Sequence, residues 1–142
     1  MDVTIGLIVN PVAGLGGRMA HKGSDASNIR DLAKRAGIEP LAPERAGQAV
    51  RRLLDGLESS PVAVRILAGA DDMGADALDA DIPHEAIASN AVHPGASSSE
   101  DTKSMARTMV DQGVDLLLFA GGDGTARDIL DAVGTRIPVL GI

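Results

Sequence analysis

Residues 114–125, VDLLLFAGGDGT, decide the fold that this sequence predicts. The stretch opens with a nearly continuous apolar run, and a turn containing three glycines follows it. Apolar residues then recur at helical spacing before Gly134: Ala126, Ile129, Leu130 and Val133. A strand that is apolar along its length is typical of a parallel sheet covered on both faces. The stretch therefore predicts a buried strand, a tight turn and a helix.

Further strands and helices alternate outward from this stretch. We predict strands at residues 4–10, 62–67, 84–89 and 137–142, and helices at 25–36, from Pro43 onward, at 72–80 and at 98–112. Ser97 and Glu100 have the spacing of a capping box for the last of these helices. Alternating strands and helices favour right-handed crossovers and parallel strands. We therefore predict a single three-layer, Rossmann-like α/β domain over residues 1–142, with a mostly parallel sheet.

The composition excludes several classes of function. The chain has 142 residues, a net charge of −7, no cysteine and a single aromatic residue, Phe119. The absence of cysteine excludes disulfides, thiolate nucleophiles and zinc-thiolate sites. An acidic chain without stacking rings is unsuited to nucleic acids. No apolar run approaches the length of a membrane span, and no basic signal region is found at the start. We expect a cytoplasmic protein without nucleic-acid or membrane partners.

The first glycine-rich turn follows the predicted strand at 4–10. It matches neither the dinucleotide fingerprint, because Met19 stands where the third glycine belongs, nor a Walker A loop. Its backbone N–H groups could hold a phosphate, and a flexible loop that permits tight packing is the alternative. The candidate phosphate-binding residues are Asn10, Gly14, Gly16, Gly17 and Lys22, the last as a positive charge within reach.

The second glycine-rich turn is Gly121-Gly122-Asp123-Gly124-Thr125. A carboxylate in its centre would repel phosphate, so Asp123 needs another task. It could be a general base for an attacking hydroxyl, or orient that hydroxyl or a metal ion. The alternative is that Asp123 only caps the helix. Thr125 could cap the helix as well, or donate to a phosphate oxygen.

Two charged groups outside the turns have simpler interpretations. The acidic residues between Asp71 and Asp81 lack calcium-loop spacing, so a solvated face is favoured over a metal site. Arg45, Arg51 and Arg52 are interpreted as a solvated helix face that balances nearby acids.

The second turn resembles the GGDGT signature of NAD kinases, diacylglycerol kinases and sphingosine kinases. Its continuation, Ala126-Arg127-Asp128, is most similar to the ATP-NAD kinase-like group that includes the acetoin-catabolism protein AcoX. The resemblance implies an amino-terminal kinase domain that transfers phosphate from ATP, or from polyphosphate, to the 2′-hydroxyl of NAD. It also implies that Asp123 helps to activate this hydroxyl, that Gly121, Gly122 and Gly124 contact nucleotide phosphate, and that Mg²⁺ accompanies ATP.

NAD kinases also carry a second, β-rich domain with an Asn-Glu/Asp motif, which residues 1–142 lack. We expect this chain to be the amino-terminal part of a two-domain kinase, to form a homo-oligomer, and to have little or no kinase activity when isolated. Two alternatives are a non-catalytic nucleotide-binding regulatory module and a lipid kinase. The net charge disfavours binding of a lipid kinase to anionic membranes.

Overall fold

The structure, a computed structural model, describes residues 1–13, 15, 27–88 and 97–142. The strands are β1 (Asp2–Val9), β2 (Ala63–Gly69), β3 (Glu85–Ile87), β4 (Leu116–Ala120) and β5 (Val139–Gly141). The helices are α1 (Ser27–Arg35), α2 (Leu41–Leu57), α3 (Ser99–Asp111) and α4 (Asp123–Val133). Among the described residues, no helix is both long enough and apolar enough to cross a membrane.

The five strands form one sheet in the order β3-β2-β1-β4-β5, and every neighbouring pair is parallel. The strand β1 is central, since Ile5 pairs with Ile66 of β2 on one side and with Leu116 of β4 on the other. The last five residues of β1 are buried, as its apolar sequence predicts. The predicted α/β fold is therefore confirmed, with a sheet that is parallel throughout.

Helices cover both faces of the sheet. On one face, α2 buries Ala42, Ala46 and Val50 against Leu7 and other residues of the sheet. On the opposite face, α3 and α4 bury apolar side chains against Ile8, Leu67 and Leu117: Met105, Ala106, Met109, Ile129 and Val133. Neighbouring residues of β1 thus supply opposite cores, because strand side chains alternate between faces. This is the predicted three-layer arrangement.

The predicted capping box of α3 is displaced by one residue. Ser98, not Ser97, is the N-cap, and its backbone N–H donates to Asp101 Oδ2 at 2.7 Å. The N–H of Asp101 donates back to Ser98 Oγ at 3.4 Å. The prediction of Ser97 with Glu100 was wrong because two serines satisfy the same spacing. The observed choice buries Thr102 and Met105 on the inner side of the helix.

The helix predicted at 72–80 was also wrong. Two short 3₁₀ turns, Asp71–Met73 and Ala75–Ala77, lie there instead. Gly74 separates them with a φ of 159°, which no right-handed helix contains, and it bridges to Gly69 at the end of β2. The acidic segment therefore folds as turns that lead from β2 towards β3.

Candidate functional site

The strand order places a change of direction between β1 and β4. The chain moves outward from β1 to β2 and β3 on one side, and to β4 and β5 on the other. The helix α2 covers one face, whereas α4, which follows β4, covers the opposite face. In open α/β sheets, ligands bind outside the carboxyl ends of the strands at such a point. The turns after Val9 and Ala120 lie at this position.

Asn10 connects the two turns. Its backbone N–H donates to the carbonyl of Ala120 at 2.8 Å, which extends the pairing of β1 with β4. Its side-chain Nδ2 donates to Thr125 Oγ1 at 3.1 Å, and its Oδ1 accepts from the N–H of Val12 at 3.2 Å. Thr125 is only 4% exposed. The side chains of Asn10 and Thr125 thus join segments that lie 115 positions apart.

Gly121 packs directly on Thr125. A Cβ atom added at Gly121 would approach Cβ of Thr125 to 2.6 Å, with Oγ1 still closer. The other two glycines of the turn differ, because an added Cβ at Gly122 or Gly124 would meet nothing within 4 Å. Gly121 therefore permits a close approach inside the protein, whereas Gly122 and Gly124 leave space in front of the turn.

Asp123 is the first residue of α4, and Gly122 occupies the N-cap position. The alternative that Asp123 is the capping residue is therefore wrong, because a glycine supplies the extended backbone of the cap. The side chain of Asp123 is exposed. Within the described part of the chain, its carboxylate makes no hydrogen bond or ion pair. The carboxylate is available to a ligand at the start of the helix.

A cleft of about 200 Å³ opens beside this turn. One side is formed by Gly121, Gly122 and Ile142, and the other by the first turns of α2 together with Ala13. The described residues that line it are Ala13, Leu41, Ala42, Arg45, Gly121, Gly122 and Ile142. Arg45 is the one charged side chain among these described residues. Its exposed position confirms part of the predicted solvated face, but the sequence did not place it in the cleft.

Arg51, two turns further along α2, has a different environment. Its guanidinium donates to Asp79 at 2.8 Å and to Asp81 at 2.5 Å. The hydrogen bond from Arg51 lowers the pKa of the Asp81 carboxyl below its ordinary value. Two members of the acidic segment are thus paired with an arginine, as predicted for a charge-balancing face. In the described ranges, no group of three or more side chains could hold a metal ion.

The structure brings together six of the predicted site residues: Asn10, Gly121, Gly122, Asp123, Gly124 and Thr125. The candidates Gly14, Gly16, Gly17 and Lys22 lie outside the described residues. Sequence reasoning missed Arg45 as a lining residue. The signal was present, because α2 leads into a parallel strand and therefore begins near the carboxyl edge of the sheet.

Comparison with protein-family models agrees with this geometry. The family model described as the ATP-NAD kinase N-terminal domain matches residues 5–142. The chain belongs to the ATP-NAD kinase family. Among curated proteins, a search found no match. The predicted family and its N-terminal-domain fold are confirmed, and membership implies nucleotide ligands for this kinase-family domain. Similarity to AcoX in particular stays a prediction.

Proposed function

We propose that this kinase-family domain transfers a phosphoryl group from ATP, or from polyphosphate, to the 2′-hydroxyl of NAD, which yields NADP. The observation that carries the proposal is the position of the GGDGT turn. It lies beyond the carboxyl ends of β1 and β4, where the strand order changes direction, beside a cleft and with the Asp123 side chain exposed. Phosphoryl transfer depends mainly on positioning and charge neutralisation, which such a turn can supply with few side chains.

Asp123 is proposed to accept the proton of the attacking hydroxyl. The hydroxyl oxygen forms a bond to the γ-phosphorus of ATP, while the bond from that phosphorus to the bridging oxygen breaks and ADP leaves. A base must lie within hydrogen-bond reach of its substrate. An exposed carboxylate with no partner among the described residues meets this requirement once the substrate is seated.

The glycines and the Asn10–Thr125 hydrogen bond have separate proposed roles. Gly122 and Gly124 leave room for a phosphate to approach the backbone. Asn10 and Thr125 position the turn, since their side chains already bond to each other. Gly14, Gly16, Gly17 and Lys22 remain proposed phosphate contacts from the first turn. They follow Asn10 closely in the sequence.

A magnesium ion fits the chemistry of this site. Mg²⁺ usually takes one or two protein carboxylates and completes its shell with substrate phosphates and water. As the alternative to its role as base, Asp123 offers one such carboxylate beside the cleft-lining Gly122, so the described residues do not need to form a closed metal cage. When bound with ATP, the ion would neutralise charge on the phosphates.

The cleft is smaller than the whole substrate. Ligand pockets usually enclose about 300–1,000 Å³, whereas this cleft encloses about 200 Å³. It suits a phosphate group rather than a complete dinucleotide. The rest of the nucleotide extends beyond the described residues. A second domain or a second copy of the chain is proposed to complete its binding.

The test compares Asp123→Asn with the wild type at the natural full length of the protein, whatever flanks residues 1–142. We expect NADP formation from NAD and Mg²⁺-ATP to fall by about 10²–10⁴-fold, the usual contribution of a general base. Calorimetry should show NAD affinity within about twofold of wild type, because the shape of the turn is kept.

Asp131→Asn is the matched control on the same helix, since Asp131 pairs with Lys103 at 3.3 Å and does not line the cleft. Its activity should equal that of the wild type. Wild-type turnover by Asp123→Asn would refute the role of Asp123. Binding of NAD and ATP without any NADP formation by the wild type would instead support a non-catalytic nucleotide-binding module.

A further inference from the structure

We propose that Arg45 is the phosphate-binding cation of the cleft, and that it holds the phosphate chain of the nucleotide against the backbone of Gly121 and Gly122. This inference rests on the proposed function, because it concerns the same cleft. It adds a residue outside both glycine-rich turns. It also assigns the cleft to the phosphate chain of the ligand rather than to its base or sugar.

The position of Arg45 follows from the helix that carries it. Leu41 and Arg45 are four residues apart on α2, so they lie on one side of the helix, and both line the cleft. Ala42 and Ala46 beside them are buried against the sheet, which fixes the rotation of the helix. Arg45 is therefore held at the cleft by the packing of α2.

The charge of Arg45 is not neutralised within the described part of the chain. No carboxylate there forms an ion pair with it, whereas Arg51 on the same helix is bound to two aspartates. The chain carries a net charge of −7, and the exposed Asp123 lies next to the cleft-lining Gly122. An anionic ligand in this place requires a nearby cation, and Arg45 is the charged lining residue that the structure describes.

The side of the cleft that faces α2 also suits a phosphate, for a different reason. Gly121 and Gly122 present no side chain, and the space in front of Gly122 is open to 4 Å. Phosphate oxygens can therefore approach the backbone closely on this side. The planar guanidinium of arginine makes two parallel hydrogen bonds to a phosphate, which lysine cannot do. The remaining described lining residues are apolar or alanine, and they offer no competing polar side chain.

The experiment measures binding of three probes to the purified protein at its natural full length by calorimetry: ATP, inorganic tripolyphosphate and adenosine. The variants are Arg45→Ala, Arg45→Lys and Arg52→Ala. Arg52 is the matched control because it is an exposed arginine on the same helix that does not line the cleft. Circular dichroism checks that each variant is folded.

We expect Arg45→Ala to weaken ATP and tripolyphosphate binding by about 10- to 100-fold, which corresponds to one charge-assisted hydrogen-bond pair. Adenosine binding should stay unchanged, Arg45→Lys should be intermediate, and Arg52→Ala should stay within about twofold of the wild type. This pattern would show that Arg45 binds the phosphate chain of the nucleotide.

Three results would overturn the inference. Equal phosphate affinity in Arg45→Ala and Arg52→Ala would leave the proposed function standing and remove Arg45 from the site. An equal loss of adenosine and ATP binding would assign Arg45 to another part of the ligand. A wild type that binds none of the probes would reject the inference and the proposed function together.

Discussion

Two regions of the molecule lie against the same helix, α2, and differ in whether their charged side chains are paired. The segment between β2 and β3 contains Asp79 and Asp81, which both bind Arg51. The turns after β1 and β4 form a second region, which we call the rim. A hydrogen bond between two neutral side chains, Asn10 and Thr125, connects these turns. Arg45 and Asp123 stay unpaired among the described residues at this rim.

Arg51 and its two aspartates are paired within the protein, whereas Arg45 and Asp123 have no ion-pair partner among the described residues and are available to a ligand. An ion pair formed within the protein limits the access of a substrate to either partner. The rim is held by a part-buried hydrogen bond between neutral side chains, so its charged groups do not have to stabilise the fold. The proposed phosphoryl-transfer site, which would bind anions and move a proton, would benefit from this separation. The segment between β2 and β3 does not have to leave its charged side chains accessible to a substrate.

The substitution with the largest expected effect is Gly121→Ala, because it introduces a methyl group where Gly121 packs on the side chain of Thr125. The added Cβ would lie 2.6 Å from Cβ of Thr125, a buried β-branched residue in a helix that cannot shift easily. We expect the free energy of unfolding to fall by about 2–3 kcal/mol, as for other overpacked positions. Urea denaturation followed by circular dichroism measures this change.

Gly124→Ala is the control, because it lies in the same turn with open space around it and in the first turn of α4. Alanine favours helix over glycine, so the variant should gain up to about 1 kcal/mol. Equal stability of the two alanine variants would mean that the rim is not packed around Thr125.

A second test breaks the neutral connection itself. Asn10→Ala removes the donor to Thr125 and the acceptor for the N–H of Val12. We expect a loss of about 1–2 kcal/mol, since a buried hydroxyl is left with one partner fewer. Combining it with Thr125→Val in a double-mutant cycle should give a loss smaller than the sum of the single losses. Additive losses would show that the hydrogen bond contributes no stability.

The smallest expected effect concerns the charged region. The hydrogen bond from Arg51 lowers the pKa of Asp81 in the folded protein, so the pair stabilises the fold at neutral pH. This contribution starts to decrease as the pH falls below about 4, the ordinary pKa of an aspartate, and is lost only below the lowered pKa of the folded protein. Arg51→Ala should therefore lose less stability than Asn10→Ala at pH 7, because the pair is exposed.

The measurement is the urea midpoint of Arg51→Ala against that of the wild type from pH 7 to pH 3. The difference between the two midpoints should become smaller towards the acidic end. Arg52→Ala, which lacks this pair, should show no such convergence. A difference between Arg51→Ala and wild type that is constant over the whole pH range would contradict the assigned cause.

Much of the fold could be predicted because its signals are local. The apolar runs of β1 and β4 identified buried strands, and the alternation with helices identified the parallel sheet. The GGDGT turn was placed correctly between β4 and α4 for the same reason. Errors arose where a local signal had two solutions, as with the serines before α3, or where Gly74 interrupted a helical pattern.

The rest of the site depends on contacts between distant segments. The hydrogen bond between Asn10 and Thr125 follows from the pairing of β1 with β4, which no local pattern contains. Arg45 and Arg51 look alike in the sequence, and only the folded neighbours distinguish them. Local chemistry therefore identified the turn, whereas the partners of each charge required the tertiary structure.

The central place of β1 has a consequence for the order in which the protein can fold during synthesis. Of the five strands, β1 is synthesised first. One of its edges pairs with β2, which follows early in the chain, whereas the other pairs with β4, more than a hundred positions later. Contacts between such distant segments form slowly. A nascent chain on the ribosome can therefore assemble β1 with β2 and α2 early. The cleft beside the GGDGT turn is complete only after Gly121, Gly122 and Ile142 have emerged, so the proposed nucleotide site forms late in the synthesis of this domain.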